Sequence, residues 1–363
     1  MTSFLIYNLM FFFSTAFIWL KNHIRGKAPA VLLSSFAFFI LFIPTALRYG
    51  VGTDFFSYYN IYNHPELHSR IEAGFASVNS ILRYFNLSAQ WGMAAYAFIF
   101  FYVSIRSYPK KSSWVFHVLF ISSLLFFSFN GIRQSIAVAF ISLSILFFIN
   151  KEVLKSITYT IIGGFFHKSA FIILPIIILY RLPINNHIKT KITPIFVILI
   201  VLASIAMGPL AFSSLEHAVH YFNIPYSHYF NSSYFEKRHI NTGILLILKT
   251  TSISILLFYT RRIISLNERY WIIIIITFFY LLFYSLSYHS AVFGRLSYVF
   301  IIGPIYIIYI CLVYSKKSAN TQLITAAAAF FLFFAPFALS TFSAETKPNS
   351  DTKYKTFIEY NTE

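Results

Sequence analysis

Apolar residues run in long blocks along this chain, and polar residues are confined to short stretches between them. Blocks that reach the roughly 17 to 20 residues needed to cross a bilayer lie at 3–20, 28–47, 89–105, 113–129, 135–149, 193–212, 243–260, 270–287, 297–314 and 321–341. They are too long and too poor in charge to be strands of a membrane barrel. The pattern predicts an all-α, polytopic integral membrane protein of about 10–12 transmembrane helices.

One stretch does not fit a simple succession of spans. Residues 157–180 form a single apolar run interrupted by Gly163-Gly164-Phe165-Phe166-His167-Lys168-Ser169. Its flanks are both basic, with Lys151 and Lys155 before it and Arg181 and Lys189 after it. Basic loops belong on the cytoplasmic side, so a straight span here would invert every later loop. The expectation is a broken or re-entrant helix pair near 157–180 that turns from Gly163 to Lys168, or two short spans. Both arrangements carry His167 toward the outer face. Irregular backbone at that depth survives only when buried in protein or lining a wet cavity.

Composition agrees with the pattern: 58% of the 363 residues are hydrophobic, 21% aromatic and 11% charged. A soluble domain carries roughly twice that charge. The net charge of +17 is scattered through short loops, which marks orientation rather than nucleic-acid binding. Lys21, Arg25 and Lys27; Arg106, Lys110 and Lys111; Lys151 and Lys155; Arg181, Lys189 and Lys191; Arg261, Arg262 and Arg269; and Lys316 and Lys317 define the cytoplasmic set. Asp54, Glu66, Glu72, Glu216, Glu236 and the mixed-charge tail define the outer set, with both termini outside. The first apolar block lacks a basic leader and a small-residue cleavage site, and reads as a retained span. The lone Cys311 excludes an intramolecular disulfide. No internal repeat appears, and residues 1–363 read as one membrane domain with long outer loops at 48–88 and 213–242. In the first loop Val78, Ile81, Leu82 and Phe85 have the spacing of an amphipathic surface helix.

The unusual polar groups gather on the outer side: Arg48, Asp54, Glu72, Arg133, Gln134, His167, Lys168 and Arg295. Charge at the end of an apolar segment is costly without a partner or a wet cavity. Arginine there suits phosphate or diphosphate through bidentate charge-assisted hydrogen bonds; the plainer role is pairing with headgroups or a loop carboxylate. His167 can act as a proton shuttle or merely close a helix break. Asp54 and Glu72 each suit a general base or an ion pair with Arg48 or Arg133, and chemistry alone does not choose. His217-x-x-His220 lacks a third ligand, so no metal is expected. The Walker A, Rossmann and Asp-rich signatures are missing from the sequence, so no nucleotide or other cofactor is expected either. An activated donor would have to arrive attached to lipid.

Five short motifs then occur in a familiar order. They are Arg48-Tyr49-x-Val51-Gly52-Thr53-Asp54-x-x-x-Tyr58; Glu72-x-Gly74-Phe75 with Asn79; Asn130-x-x-Arg133-Gln134-x-x-Ala137; His167-Lys168-Ser169-Ala170; and Gly294-Arg295-Leu296 with Tyr298. With the basic-aromatic tail Tyr354-Lys355, the chain resembles the EpsG family, which belongs with the Wzy-type polymerases of bacterial surface polysaccharides. The resemblance implies metal-independent glycosyl transfer at the outer face of the bacterial cytoplasmic membrane. A chain on polyprenyl diphosphate would pass to a sugar hydroxyl of a lipid-linked repeat unit, building capsule, exopolysaccharide or O-antigen. It implies Arg133 and Arg295 on the diphosphate, with Gln134, Lys168 and Arg48 binding substrate. Asp54 or His167 would activate the hydroxyl, with Glu72 in reserve. The implied partners are the lipid-linked oligosaccharide, the bilayer and a chain-length regulator, and not nucleic acid. Competing readings are a flippase for lipid-linked oligosaccharide, which a broken helix also suits, and a ligase or acyltransferase.

Overall fold

A computed structural model describes residues 3–67, 71–180, 243–257, 260–287, 291–314, 319–347 and 350–360, with isolated positions between 197 and 221 and His289. The expected span at 193–212, the outer loop at 213–242 and the basic residues Arg181, Lys189, Lys191, Lys316 and Lys317 lie wholly or largely outside the described residues. No strand occurs among the described residues. Among the described residues six helices are long and apolar enough to cross a membrane: Ser3–His23, Lys27–Leu47, Ser113–Asn130, Ile132–Ile149, Glu268–Leu286 and Asn320–Thr346. A bent pair, Val292–Val299 with Ile302–Tyr314, adds a seventh. The chain is the polytopic helical membrane protein that its apolar blocks predict. It divides into two compact units, residues 1–174 with 333–363 and residues 175–332.

In the first unit α1 (Ser3–His23) and α2 (Lys27–Leu47) form a hairpin. A loop bearing the short helices α3 (Phe55–Asn63) and α4 (Ala73–Tyr84) leads to α5 (Ala89–Arg106). Then come α6 (Ser113–Asn130), α7 (Ile132–Ile149) and α8 (Val153–Phe166), and the last long helix, Ala335–Thr346, packs on α1 and α6. At one end of the unit the Asn22 amide donates to the Lys110 carbonyl (3.3 Å), and its oxygen accepts from the Trp114 amide (3.2 Å). The loops carrying Lys21, Arg25 and Lys27 and carrying Arg106, Lys110 and Lys111 therefore share that end. The C-termini of α2, α6 and α8 and the N-terminus of α7 share the other.

Helices in lipid gain little from hydrophobic association with one another, so small residues and hydrogen bonds hold them. The α7–α8 hairpin shows both. A β-carbon on Gly163 would stand 3.1 Å from the Phe140 β-carbon and 3.3 Å from the Ala137 carbonyl oxygen. Deeper in the pair, Ser144 Oγ lies 2.7 Å from Thr160 Oγ1 and donates to the Ser156 carbonyl at 2.8 Å. The expected turn from Gly163 to Lys168 is thus shorter than its glycines suggested. Both glycines are inside α8, and the break falls at His167, whose backbone is extended (φ −156°, ψ 120°). Gly164 has its own reason: a β-carbon there would meet the Phe171 ring at 2.4 Å, so the glycine admits the following turn against α8.

The surface helix expected from Val78, Ile81, Leu82 and Phe85 is α4, with Phe75 and Asn79 turned into the protein. Ile81 and Phe85 remain 58% and 65% exposed, an apolar edge suited to the bilayer interface. In the second unit the expected span 297–314 is not straight. It bends by 48° between Val299 and Ile302. Pro304 lacks an amide hydrogen and its ring excludes the carbonyl four residues back, so the helix restarts just before it.

Substituting Gly163→Val should wedge α7 from α8 and cost about 1–3 kcal/mol, the range for overpacking a filled interface. The check is the thermal midpoint of the purified protein in detergent. A midpoint equal to that of the unsubstituted protein would contradict the packing described.

Candidate functional site

The site grows from the end of the first unit that carries no basic loops. Asn130 closes α6 and Gly131 separates it from α7, so Arg133 and Gln134 stand in the first turn of α7. Free backbone amides and the helix dipole make such a turn favourable to anions. The Asn130 side chain reaches back to accept from the Thr53 amide at 2.8 Å. Gly52 permits that approach: its φ is +104°, and a β-carbon there would lie 2.5 Å from the Phe129 carbonyl oxygen. Asp54, half-buried, follows at once as the residue that opens α3.

Four residues on, and so on the same face of α3, Tyr58 is buried beside Arg133. Both the guanidinium and the backbone of Arg133 hydrogen-bond its phenol. Burial pushes the Tyr58 phenol up, against the opposing pull of Arg133, so the group stays protonated at neutral pH. The Arg133 Nη1 also donates to Glu72 Oε2 at 2.5 Å, with 5% of the Glu72 side chain and 26% of the Arg133 side chain exposed. Phe75 lies beneath the guanidinium, 5.8 Å from its ring centre, and stacks on Tyr96 at 4.3 Å. The Tyr96 hydroxyl in turn bonds the Asn79 side chain. Of the alternatives open for Glu72, the structure shows the ion pair with Arg133.

His167 is brought to the same end. Gly74 lies so close to α8 that a β-carbon would meet the Phe165 carbonyl oxygen at 2.9 Å, and His167 follows two residues later. Phe166 stacks on Phe140 of α7 at 5.8 Å. His167 Nδ1 faces Ser169 Oγ at 2.6 Å and accepts from the Ser169 amide, which holds the ring across the break. A ring so held in the neutral form carries its proton on Nε2. Lys168 is exposed at the start of the turn that follows, and Gln134 is buried. Arg295 lies exposed on Ala291–Val299 in the second unit.

Arg48 ends α2 and is 2% exposed, with its guanidinium 4.6 Å above the Phe129 ring. Burial pulls it down to about 10, so it is still a cation at neutral pH. Two neighbours of this arrangement carry no motif signal strong enough to single them out. Gln90 donates to the carbonyls of Ala46 (2.6 Å) and Arg48 (3.1 Å) and accepts from Tyr59, fixing the end of α2. The other is the extended C-terminal segment: the Tyr49 amide donates to the Lys355 carbonyl at 2.9 Å, the Gly52 amide to the Asp351 carbonyl at 2.6 Å, and Arg48 forms an isolated bridge with Thr356. Tyr58 was visible as the last residue of its motif, and its spacing of four from Asp54 was the signal that both face one way.

Among the described residues no cluster of three or more His, Cys, Asp or Glu has the geometry to hold a metal ion. His217 is exposed, and its partner in the His-x-x-His pair, His220, lies outside the described residues. What the arrangement can do is bind an anion at the α7 N-terminus and handle a proton at a carboxylate or imidazole nearby.

The model of the EpsG family matches residues 31–362, nearly the whole chain. No curated protein and no solved structure matches it.

The Arg133–Glu72 pair should be tightly coupled. Breaking a buried pair from one side costs about 3–5 kcal/mol, and the partial exposure of Arg133 argues for the low end. Glu72→Gln and Arg133→Gln should each destabilise the protein, and the double substitution should cost much less than their sum. Additive losses in a denaturation cycle would show that the pair is not a unit.

Proposed function

Because the chain belongs to the EpsG family, whose members are Wzy-type polysaccharide polymerases, we propose that it joins lipid-linked oligosaccharide repeat units at the outer face of the bacterial cytoplasmic membrane. In this reaction the bond between the anomeric carbon of the growing chain and its diphosphate oxygen breaks. A new bond forms from that carbon to a hydroxyl oxygen of the incoming unit. The polyprenyl diphosphate departs with the electron pair, and the hydroxyl proton passes to a base. Nothing in this exchange requires a metal or a nucleotide.

The observation that carries the reading is the cation at the start of α7. Arg133 stands at a helix N-terminus, backed by Tyr58 and Phe75 and steadied by Glu72. A pre-oriented guanidinium at the positive end of a helix dipole is an arrangement that stabilises charge developing on a leaving group. Glu72 is committed to that guanidinium, so we assign it to positioning Arg133 rather than to taking the proton. Asp54 and His167 are the two candidate bases: Asp54 opens α3 beside the Arg133 partner Tyr58, and His167 closes α8 next to Gly74. Gln134 and Lys168 support the diphosphate from the same end, and Arg295, on Ala291–Val299, stays a substrate-binding candidate on its motif. The basic loops gathered at the opposite end favour a cytoplasmic position for that end, and hence an outer position for the site and both termini. A chain-length regulator would meet the protein on that outer side.

The test is the size distribution of surface polysaccharide in a deletion strain that carries variants at matched membrane levels. Arg133→Ala should leave single repeat units on the carrier lipid outside the membrane, and His167→Ala and Asp54→Asn should rank the bases. Full-length polymer from Arg133→Ala would remove that residue from the mechanism. Units trapped on the cytoplasmic side would indicate a flippase instead.

A further inference from the structure

Arg48 differs from Arg133 in one respect that physics makes expensive. Arg133 has Glu72 as a counter-ion. Arg48, 2% exposed, makes no ion pair and donates no side-chain hydrogen bond among the described residues, and its Nε is buried without a partner. Its surroundings are the Phe129 ring and the phenols of Tyr7, Tyr58 and Tyr354. A buried cation left unpaired carries a desolvation penalty of several kcal/mol, and the group that relieves it best is an anion.

What covers Arg48 is the end of the chain itself. The segment 351–357 lies antiparallel to 48–52 through the Tyr49–Lys355 and Gly52–Asp351 hydrogen bonds. Its rings also make contact, Tyr354 with Tyr7 at 6.0 Å and Phe357 with Tyr49 at 5.7 Å between centres. Tyr7 donates to the Thr352 carbonyl at 2.7 Å, the Tyr354 amide to Ser3 Oγ at 3.0 Å, and the Tyr354 hydroxyl to the Pro44 carbonyl at 2.9 Å. None of residues 351–357 is buried, and local opening draws on exposed segments that have no core of their own.

We propose that residues 351–357 are a strap over an anion seat at Arg48, and that the strap lifts to admit the diphosphate headgroup of a lipid-linked substrate. The source of the diphosphate rests on the polymerase reading; the seat and the strap rest on the geometry. With the strap open, the guanidinium offers its fork to two phosphoryl oxygens. With the strap closed, it is shielded from water and from lipid headgroups alike.

The experiment uses the full chain in nanodiscs, in a Cys311→Ser background, with Tyr49→Cys and Lys355→Cys. These positions lie opposite each other across the bridge, so oxidation locks the strap and reduction frees it in the same molecules. Polyprenyl diphosphate and inorganic pyrophosphate are the two probes. The oxidised protein should bind polyprenyl diphosphate at least tenfold more weakly than the reduced protein. In the unlocked chain Arg48→Gln should lose a similar factor, and Arg48→Lys should recover part of it. Pyrophosphate following the same ranking identifies the diphosphate as the group recognised. If it binds no form of the protein, the seat is specific to the lipid-borne headgroup. Equal affinity for polyprenyl diphosphate in the locked and reduced proteins, or in Arg48→Gln and its parent, overturns the proposal. Should these ratios hold while Arg133→Ala cells make full-length polymer, the strap stands and the assigned catalytic role falls.

Discussion

A guanidinium at the mouth of an apolar helix bundle is costly without a partner, and the Arg133–Glu72 ion pair ties together the end of the first unit that holds the site. Glu72 sits on the loop between α2 and α5, so pairing draws that loop down over the start of α7. Gly52 and Gly74 let it approach, one against the end of α6 and the other against the end of α8. Phe75 and Tyr58 then fill the space around the guanidinium with surfaces that accept a cation without competing for it. The loop, the ends of α6 and α8 and the start of α7 thus meet around one ion pair.

The same arrangement bears on chemistry. A free arginine at this depth would be mobile and hydrated, and a fully neutralised one would attract no anion. Arg133 lies between these extremes: one side of its fork is committed to Glu72, and about a quarter of the side chain remains accessible. Electrostatic help to a departing diphosphate depends on charge that is oriented before the reaction begins. In the proposed reaction the ion pair would supply that orientation, and the α7 dipole would act in the same direction.

Much of this was legible from residue order. Long apolar blocks identified the helices because hydrocarbon thickness sets span length, and the cost of charge in lipid pointed to Arg133, Arg295 and His167, of which Arg133 and His167 share one end of the first unit. The break in 157–180 was legible too, although glycine was the wrong marker for its position. Gly163 and Gly164 serve close packing on Ala137, Phe140 and Phe171, and the backbone turns at His167 instead. The partner of Glu72 was not legible, since Arg48 and Arg133 were equally plausible by charge. The bend before Pro304 was overlooked because hydropathy alone does not register a missing amide hydrogen. The docking of the C-terminal segment was hidden for a simpler reason: its partners lie some 300 positions away and many of its contacts run through the backbone, so the Tyr354-Lys355 motif did not say where the tail lies.

The central claim is that this membrane protein makes glycosidic bonds at the expense of lipid-linked diphosphate. Its most direct test places the purified protein in nanodiscs with lipid-linked repeat units as the sole substrate. The account predicts a ladder of lengthening oligosaccharide and one polyprenyl diphosphate released for each bond formed, both lost in Arg133→Ala. Repeat units that remain monomeric with wild-type protein, while crossing the bilayer in vesicles that contain it, would contradict the account and make the protein a transporter.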